Sequence, residues 1–162
     1  MATLLLFVQA AHAGSDLSIK GVSLHQSHDD FVASHPYAKC YISTLCSYED
    51  TLGGVDGKFL VQFDDDGVSM LSVTDIDATD FDSVAAALAA KFGKPNVSRN
   101  GVVSNAMGAK FDDRILVWGR AGGWKLQAKK RSDSVLKSSV EFFTAKFEHA
   151  ADSKAAAKKD DI

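Results

Sequence analysis

A chain of 162 residues, 46% hydrophobic and 24% charged, carries enough apolar side chain for one packed domain, or two small ones sharing a core, and this is not the composition of a disordered chain. Its net charge of −3 argues against generic nucleic-acid binding, which needs a basic surface to neutralise phosphates. Residues 14–106 hold 6 Lys/Arg against 13 Asp/Glu, net −7, and residues 107–162 hold 12 against 8, net +4. An uneven solvated surface is the plain reading, and opposite potentials that orient a partner the sharper one.

The chain opens on an apolar run, Thr3 to Ala13, that closes on Ala11-His12-Ala13. This is an A-x-A-like cleavage site with Gly14 as the new first residue, so residues 1–13 are expected to be a signal peptide. The run is too short to span a bilayer. No basic residue precedes it, the first being Lys20, so the pattern lacks its usual basic start, and a buried strand is the alternative. The residue immediately after the cleavage site is Gly14 and not a Cys, so no stable membrane anchor is expected.

Residues 14–26 read as extended, with Leu17, Ile19, Val22 and Leu24 among polar neighbours. Ser27-His28-Asp29-Asp30 resembles a capping box with Asp in place of Glu, and the short helix carrying Phe31 and Val32 must end near Pro36. Cys40 and Cys46 are the two cysteines of the chain, and a close even pair in an oxidising compartment reads as a local disulfide. A metal pair or a redox pair are the rivals, but redox motifs space their cysteines by two residues and no second Cys/His pair has zinc spacing.

Phe59, Val61 and Phe63 alternate along a strand over residues 58–63, and Asp65-Asp66-Gly67 supplies a hairpin turn. The return strand, 68–76, changes parity between Met70 and Leu71, which a bulge near Met70 reconciles. Thr79 or Asp80 caps a second helix whose stripe is Phe81, Val84, Leu88 and Phe92, and Gly93 and Pro95 end it. Strands are expected near 98–104, 108–112, 114–119 and 123–130, with a hairpin at Gly119–Gly123 and a last short strand at Ser134–Lys137. Ser138 and Glu141 form a full capping box, so a helix with Val140, Phe143 and Phe147 on its buried stripe is expected to follow. After Glu148 the Ala-rich charged sequence reads as a fraying helix or a disordered tail, residues 149–162.

The order is β-α-β-β, then α-β-β-β-β-α. This predicts an α+β fold: tandem helix-plus-antiparallel-meander halves forming one sheet, with helices packed on one face and a C-terminal helix. One domain over 14–148 is expected, its similar halves being about 14–78 and 79–148.

The residues Gly21-Val22-Ser23-Leu24, Ser27, Phe31 and Pro36 look like the opening of many small exported bacterial proteins, in which a short helix leads to a Cys pair. Leu52-Gly53-Gly54-Val55, the Asp66-Gly67 turn, Leu88 to Pro95, Asn105 to Phe111 and Trp118 continue the pattern across most of 18–137. The set resembles an uncharacterised exported-protein family of proteobacteria and their phages. The helix-then-meander duplication is similar to the β-lactamase-inhibitor-protein-like fold, shared with the small outer-membrane assembly lipoprotein of the SmpA/OmlA type. The resemblance implies protein binding rather than catalysis. The chain departs from it at His25, where a Gly is usual, and in lacking the lipoprotein Cys, which puts membrane anchoring in doubt.

Chemistry has few footholds. His25, His28 and His35, with Asp29 and Asp30, are weak candidates for a transition-metal site, though no His pair sits four apart on a helix, and a polar helix N-terminus explains the segment. Asp75, Asp77, Asp80 and Asp82 lack the Gly and bidentate Glu of a calcium loop. Lys125, Lys129, Lys130 and Arg131 near Trp118 and Trp124 read as ordinary strand alternation. There is no nucleophile elbow and no phosphate-cradling loop, so neither a catalytic residue nor a cofactor is expected. The leading expectation is a periplasmic or secreted, non-enzymatic module that binds an unknown protein partner as an inhibitor or envelope assembly factor. Among Tyr37, Tyr41, Tyr48, Trp118 and Trp124, Tyr48 and Trp118 are the expected binding anchors. A small periplasmic metal-binding protein using the three histidines and a hydrolase without recognisable motif are the alternatives.

Overall fold

The computed structural model describes residues 17–119 and 123–160, the last seven of these by backbone alone. The expected signal peptide over 1–13, its cleavage point before Gly14 and the middle of the Gly119–Gly123 hairpin lie outside the described residues.

Two short strands, β1 (Ser18–Ile19) and β2 (Val22–Ser23), form a small antiparallel hairpin. Helix α1 (His28–Ser34) begins where the Asp30 N–H donates to Ser27 Oγ at 3.1 Å. The box is not reciprocal: the Ser27 hydroxyl donates to the Asp30 carboxylate at 2.6 Å. Four antiparallel strands follow as a meander: β3 (Lys39–Ile42), β4 (Leu45–Leu52), β5 (Val55–Asp64) and β6 (Gly67–Asp77). Helix α2 (Phe81–Phe92) precedes a second meander: β7 (Val97–Ser104), β8 (Lys110–Gly119), β9 (Trp124–Lys129) and β10 (Lys137–Thr144). Helix α3 (Ala145–Asp160) follows β10. The eight strands of the meanders make one sheet in the order β3-β4-β5-β6-β10-β9-β8-β7, joined by antiparallel β6 and β10.

Register lines up the core. Tyr48, Phe59, Val73, Val140, Ala128 and Leu116 are consecutive cross-strand partners from β4 to β8. Cys46, Val61, Leu71, Phe142, Leu126 and Trp118 form the neighbouring row. All twelve are buried. Because strand side chains alternate between faces, both rows point the same way. Phe31 of α1 meets Tyr48 and Phe63 on that face, and Phe92 of α2 meets Phe142. Each fully buried Val, Leu or Phe contributes roughly 2 kcal/mol.

The expected bulge near Met70 is present: Gln62 pairs with Met70 and Phe63 with Val68, leaving Ser69 as the extra residue. Four expectations are corrected. The helices do not share one face: Phe143, opposite in direction to Phe142, meets Phe147, so α3 packs on the other side of the sheet. The stretches 108–112 and 114–119 belong to one strand, β8. Asp80 occupies the α2 cap position but makes no side-chain cap bond. The Ser138–Glu141 capping box is not a helix start: it lies inside β10, where the Ser138 hydroxyl donates to the Lys130 carbonyl and Glu141 pairs with Lys129. Between β6 and β9, the β10 backbone finds sheet partners on both sides, and this outweighs a local capping pattern.

Candidate functional site

The expected anchors are not at the surface. Tyr48 is 5% exposed and Trp118 is 2% exposed, which removes both as contact residues. Trp118 stands in the core row of β8, and its indole N–H donates to the Gly93 carbonyl at 2.8 Å. Tyr48 stacks on Phe59 with ring centroids 4.9 Å apart and is flanked by His35 at 5.1 Å and Tyr37 at 5.7 Å. Burial, with smaller effects of Tyr37 and Asp50, raises the Tyr48 phenol above its usual range.

The exposed aromatic surface lies beside them, at the β3 edge of the sheet. Every residue of β3 is exposed. Tyr37 is 59%, Tyr41 63% and Ile42 60% exposed. The Tyr41 hydroxyl shares a 3.1 Å hydrogen bond with Ser47 Oγ on β4, which holds the phenol over the sheet edge. A cleft of about 320 Å³ is lined by Tyr37, Lys39, Tyr41, Ser47, Tyr48, Glu49 and Lys58. The other edge strand, β7, exposes Val97 and Val102 but carries no aromatic residue. Of the five aromatic residues considered as anchors, Tyr37 and Tyr41, not Tyr48 and Trp118, are the exposed ones. The sequence signal for them is their position on either side of Cys40, Tyr41 in the strand that the disulfide ties to one neighbour and Tyr37 just before it.

Cys40 and Cys46 are directly paired across β3 and β4, with their sulfurs at disulfide distance. The bond spans six residues, and closing so small a loop contributes about 2 kcal/mol. It keeps an otherwise short, exposed edge strand in register.

The three candidate metal-binding histidines are not brought together. His35 is buried and stacks on Phe31 at 4.7 Å, with Nε2 at 3.2 Å from the Lys20 carbonyl and Nδ1 at 2.9 Å from Ser34 Oγ. Nε2 thus ties the first hairpin to the end of α1, and Nδ1 is taken up within the last turn of that helix. His25 takes a left-handed backbone, φ 67°, and lines a separate cavity with Asp66, Trp124 and Lys146. His28 faces Cys46, with Nε2 3.8 Å from Sγ.

The aspartates weighed for calcium are also dispersed. Asp77 pairs with Lys137, Asp82 with Arg114, and Asp75 takes a left-handed backbone in β6. The basic stretch is neutralised in place: Lys125 meets Glu148, Lys129 meets Glu141, and Lys130 and Arg131 both meet Asp112. Among the described residues no helix is long and apolar enough to cross a membrane. Comparison with protein-family models, with curated proteins and with solved structures gave no match.

Proposed function

We propose that this chain is an exported, non-enzymatic protein-binding module, of inhibitor or envelope-assembly type, that takes its partner on the β3 edge. The observation that carries this reading is the exposed edge strand with Tyr37, Tyr41 and Ile42 around it, tied to β4 by Cys40–Cys46. An edge strand offers unpaired backbone donors and acceptors to an extended segment. Rigid aromatic side chains beside it supply contact area at low entropic cost. The order of elements, a helix before each four-stranded meander, supports reading the chain as two similar halves in the manner of the β-lactamase-inhibitor-protein-like fold. A periplasmic or secreted location goes with the disulfide and with the expected signal peptide.

The test is capture from an envelope fraction by the disulfide-intact chain, beside the same chain carrying Tyr41→Ala and Ile42→Ala. A stoichiometric protein held by the first and lost from the second sustains the reading. A partner held equally by both moves the site off the β3 edge. A blank after crosslinking removes the binding-module reading.

A further inference from the structure

The disulfide that ties the β3 edge to β4 has an imidazole beside it, which edge binding does not use. A ring nitrogen of His28 and the sulfurs of Cys40 and Cys46 all lie within 4.8 Å of one another, the group of three metal-ligating side chains found among the described residues. While the sulfurs are bonded to each other they are not thiolates and hold no metal. We propose that reduction of the Cys40–Cys46 disulfide turns this cluster into a zinc(II) site of two thiolates and one imidazole, which fastens β3 to β4 in place of the lost bond.

The geometry is close to what zinc needs. With Zn–N and Zn–S bonds of about 2.0 and 2.3 Å in a tetrahedron, an imidazole nitrogen and a thiolate sulfur stand about 3.6 Å apart. Nε2 of His28 is 3.8 Å from Sγ of Cys46. The two sulfurs must separate to about 3.8 Å on the same metal. Rotation of the two side chains provides this, while the β3–β4 pairing at Lys39–Ser47 and Ile42–Leu45 keeps the strands together. The imidazole is held edge-on against Phe63 at 5.1 Å. Its other nitrogen, Nδ1, lies 3.6 Å from the Asp29 carboxylate, on the side where an outer carboxylate orients a metal-bound histidine. Cys40 is exposed and gives the cation a way in, whereas Cys46 is buried. Water completes the fourth position.

The steps balance. A dithiol reductant gives two electrons and two protons to the Cys40–Cys46 bond and closes to its own disulfide, leaving two thiols on the protein. Zinc then replaces the two thiol protons, which are released, while neutral His28 binds through the Nε2 lone pair. Exchange with a small-molecule disulfide reverses this: it takes up the two electrons and becomes two thiols, the Cys40–Cys46 bond re-forms, and the zinc ion leaves. The hairpin is therefore stapled in both redox states, covalently in one and through zinc in the other.

The test is zinc competition against a chromophoric chelator, with the full chain under anaerobic conditions. A water-soluble phosphine serves as reductant, taking its oxygen from water. The reduced chain is expected to hold one zinc, the oxidised chain none in competition, and reduced His28→Ala to bind at least tenfold more weakly. Cobalt(II) in the reduced chain should give near-ultraviolet sulfur-to-metal charge transfer and the visible bands of a tetrahedral site, altered by His28→Ala. Should reduction loosen the fold, zinc must restore the far-ultraviolet circular dichroism of the oxidised chain. No zinc uptake by the reduced chain, equal affinity in His28→Ala, equal affinity in the oxidised chain, or failure of zinc to restore a loosened fold would each overturn the proposal.

Discussion

The indole nitrogen of Trp118, on β8, donates to the carbonyl of Gly93, the residue that ends α2. This bond ties a helix terminus to the sheet across 25 residues of sequence. It also explains why a tryptophan that looks like a binding anchor is a core residue: its ring stands beside Leu126 in the buried row while its polar atom bonds the end of the helix. Trp118→Phe removes the donor and leaves a gap. It is expected to cost about 2 kcal/mol. Urea unfolding should show a lower midpoint with an unchanged slope.

Tyr48 is expected to behave in the opposite way. Its hydroxyl is buried without a hydrogen-bond partner. The ring is held by stacking on Phe59 and by contacts with His35 and Tyr37, none of which needs the oxygen. Tyr48→Phe should therefore be neutral or stabilising, by up to about 1 kcal/mol. A loss of more than that in the same unfolding measurement would show that the hydroxyl has a partner after all.

Gly67 opens β6 at φ 103°, where the β5–β6 turn meets the chain before α1. A Cβ there would lie 2.6 Å from the carbonyl oxygens of His25 and Gln26, which are backbone atoms. Those carbonyls cannot move freely, because the amides of His25 and Val68 are bonded across the same contact at 2.8 Å. Gly67→Ala adds strain to a steric clash and is expected to lower stability by roughly 2 kcal/mol or more. Thermal unfolding followed by circular dichroism checks this, with Gly101→Ala, which meets nothing within 4 Å, as the mild comparison.

Lys146, at the start of α3, donates to Asp66 at 2.6 Å and lies 3.5 Å from Asp64, joining the helix to the β5–β6 turn. The hydrogen bond from Lys146, then its charge, holds the Asp66 carboxyl below the usual aspartate range. The bond to Asp66 raises the Lys146 amine above its ordinary value. For the depressed carboxyl, the contribution is fully present above the unfolded aspartate value of about 4 and is lost as pH falls through the lower folded value. For the raised amine, it is present below the unfolded lysine value and is lost as pH rises through the higher folded one. Both groups are exposed, so the stabilisation is small and screened by salt. A carboxyl-carbon NMR titration should place the Asp66 midpoint below the ordinary value, and Lys146→Met should return it upward.

Much of the fold was legible in local pattern. Phe59, Val61 and Phe63 alternate because one face of β5 meets the helices, and Phe81, Val84 and Leu88 recur at helical spacing because one side of α2 meets the sheet. The parity break at Met70 announced the bulge at Ser69. The short Cys40–Cys46 spacing suited a hairpin staple. These features are read from neighbours in sequence, and neighbours in sequence set them.

What the sequence alone did not decide was which strand ends the sheet and which lies at its centre. Lys137–Thr144 carries a helix-start pattern, yet it pairs with β6 and β9, and backbone hydrogen bonds on both sides outweigh the local cap. Tyr48 and Trp118 are buried while Tyr37, Tyr41 and Ile42 are exposed because the first two belong to rows crossing the sheet and the others stand at its edge. The meeting of His28 with Cys46, 18 positions away, needs α1 laid over β4. Length, composition, strand and helix periods and the cysteine spacing were determined by the sequence itself. Edge, centre and site were decided by the tertiary structure, because burial and proximity come from the pairing of segments remote in the chain.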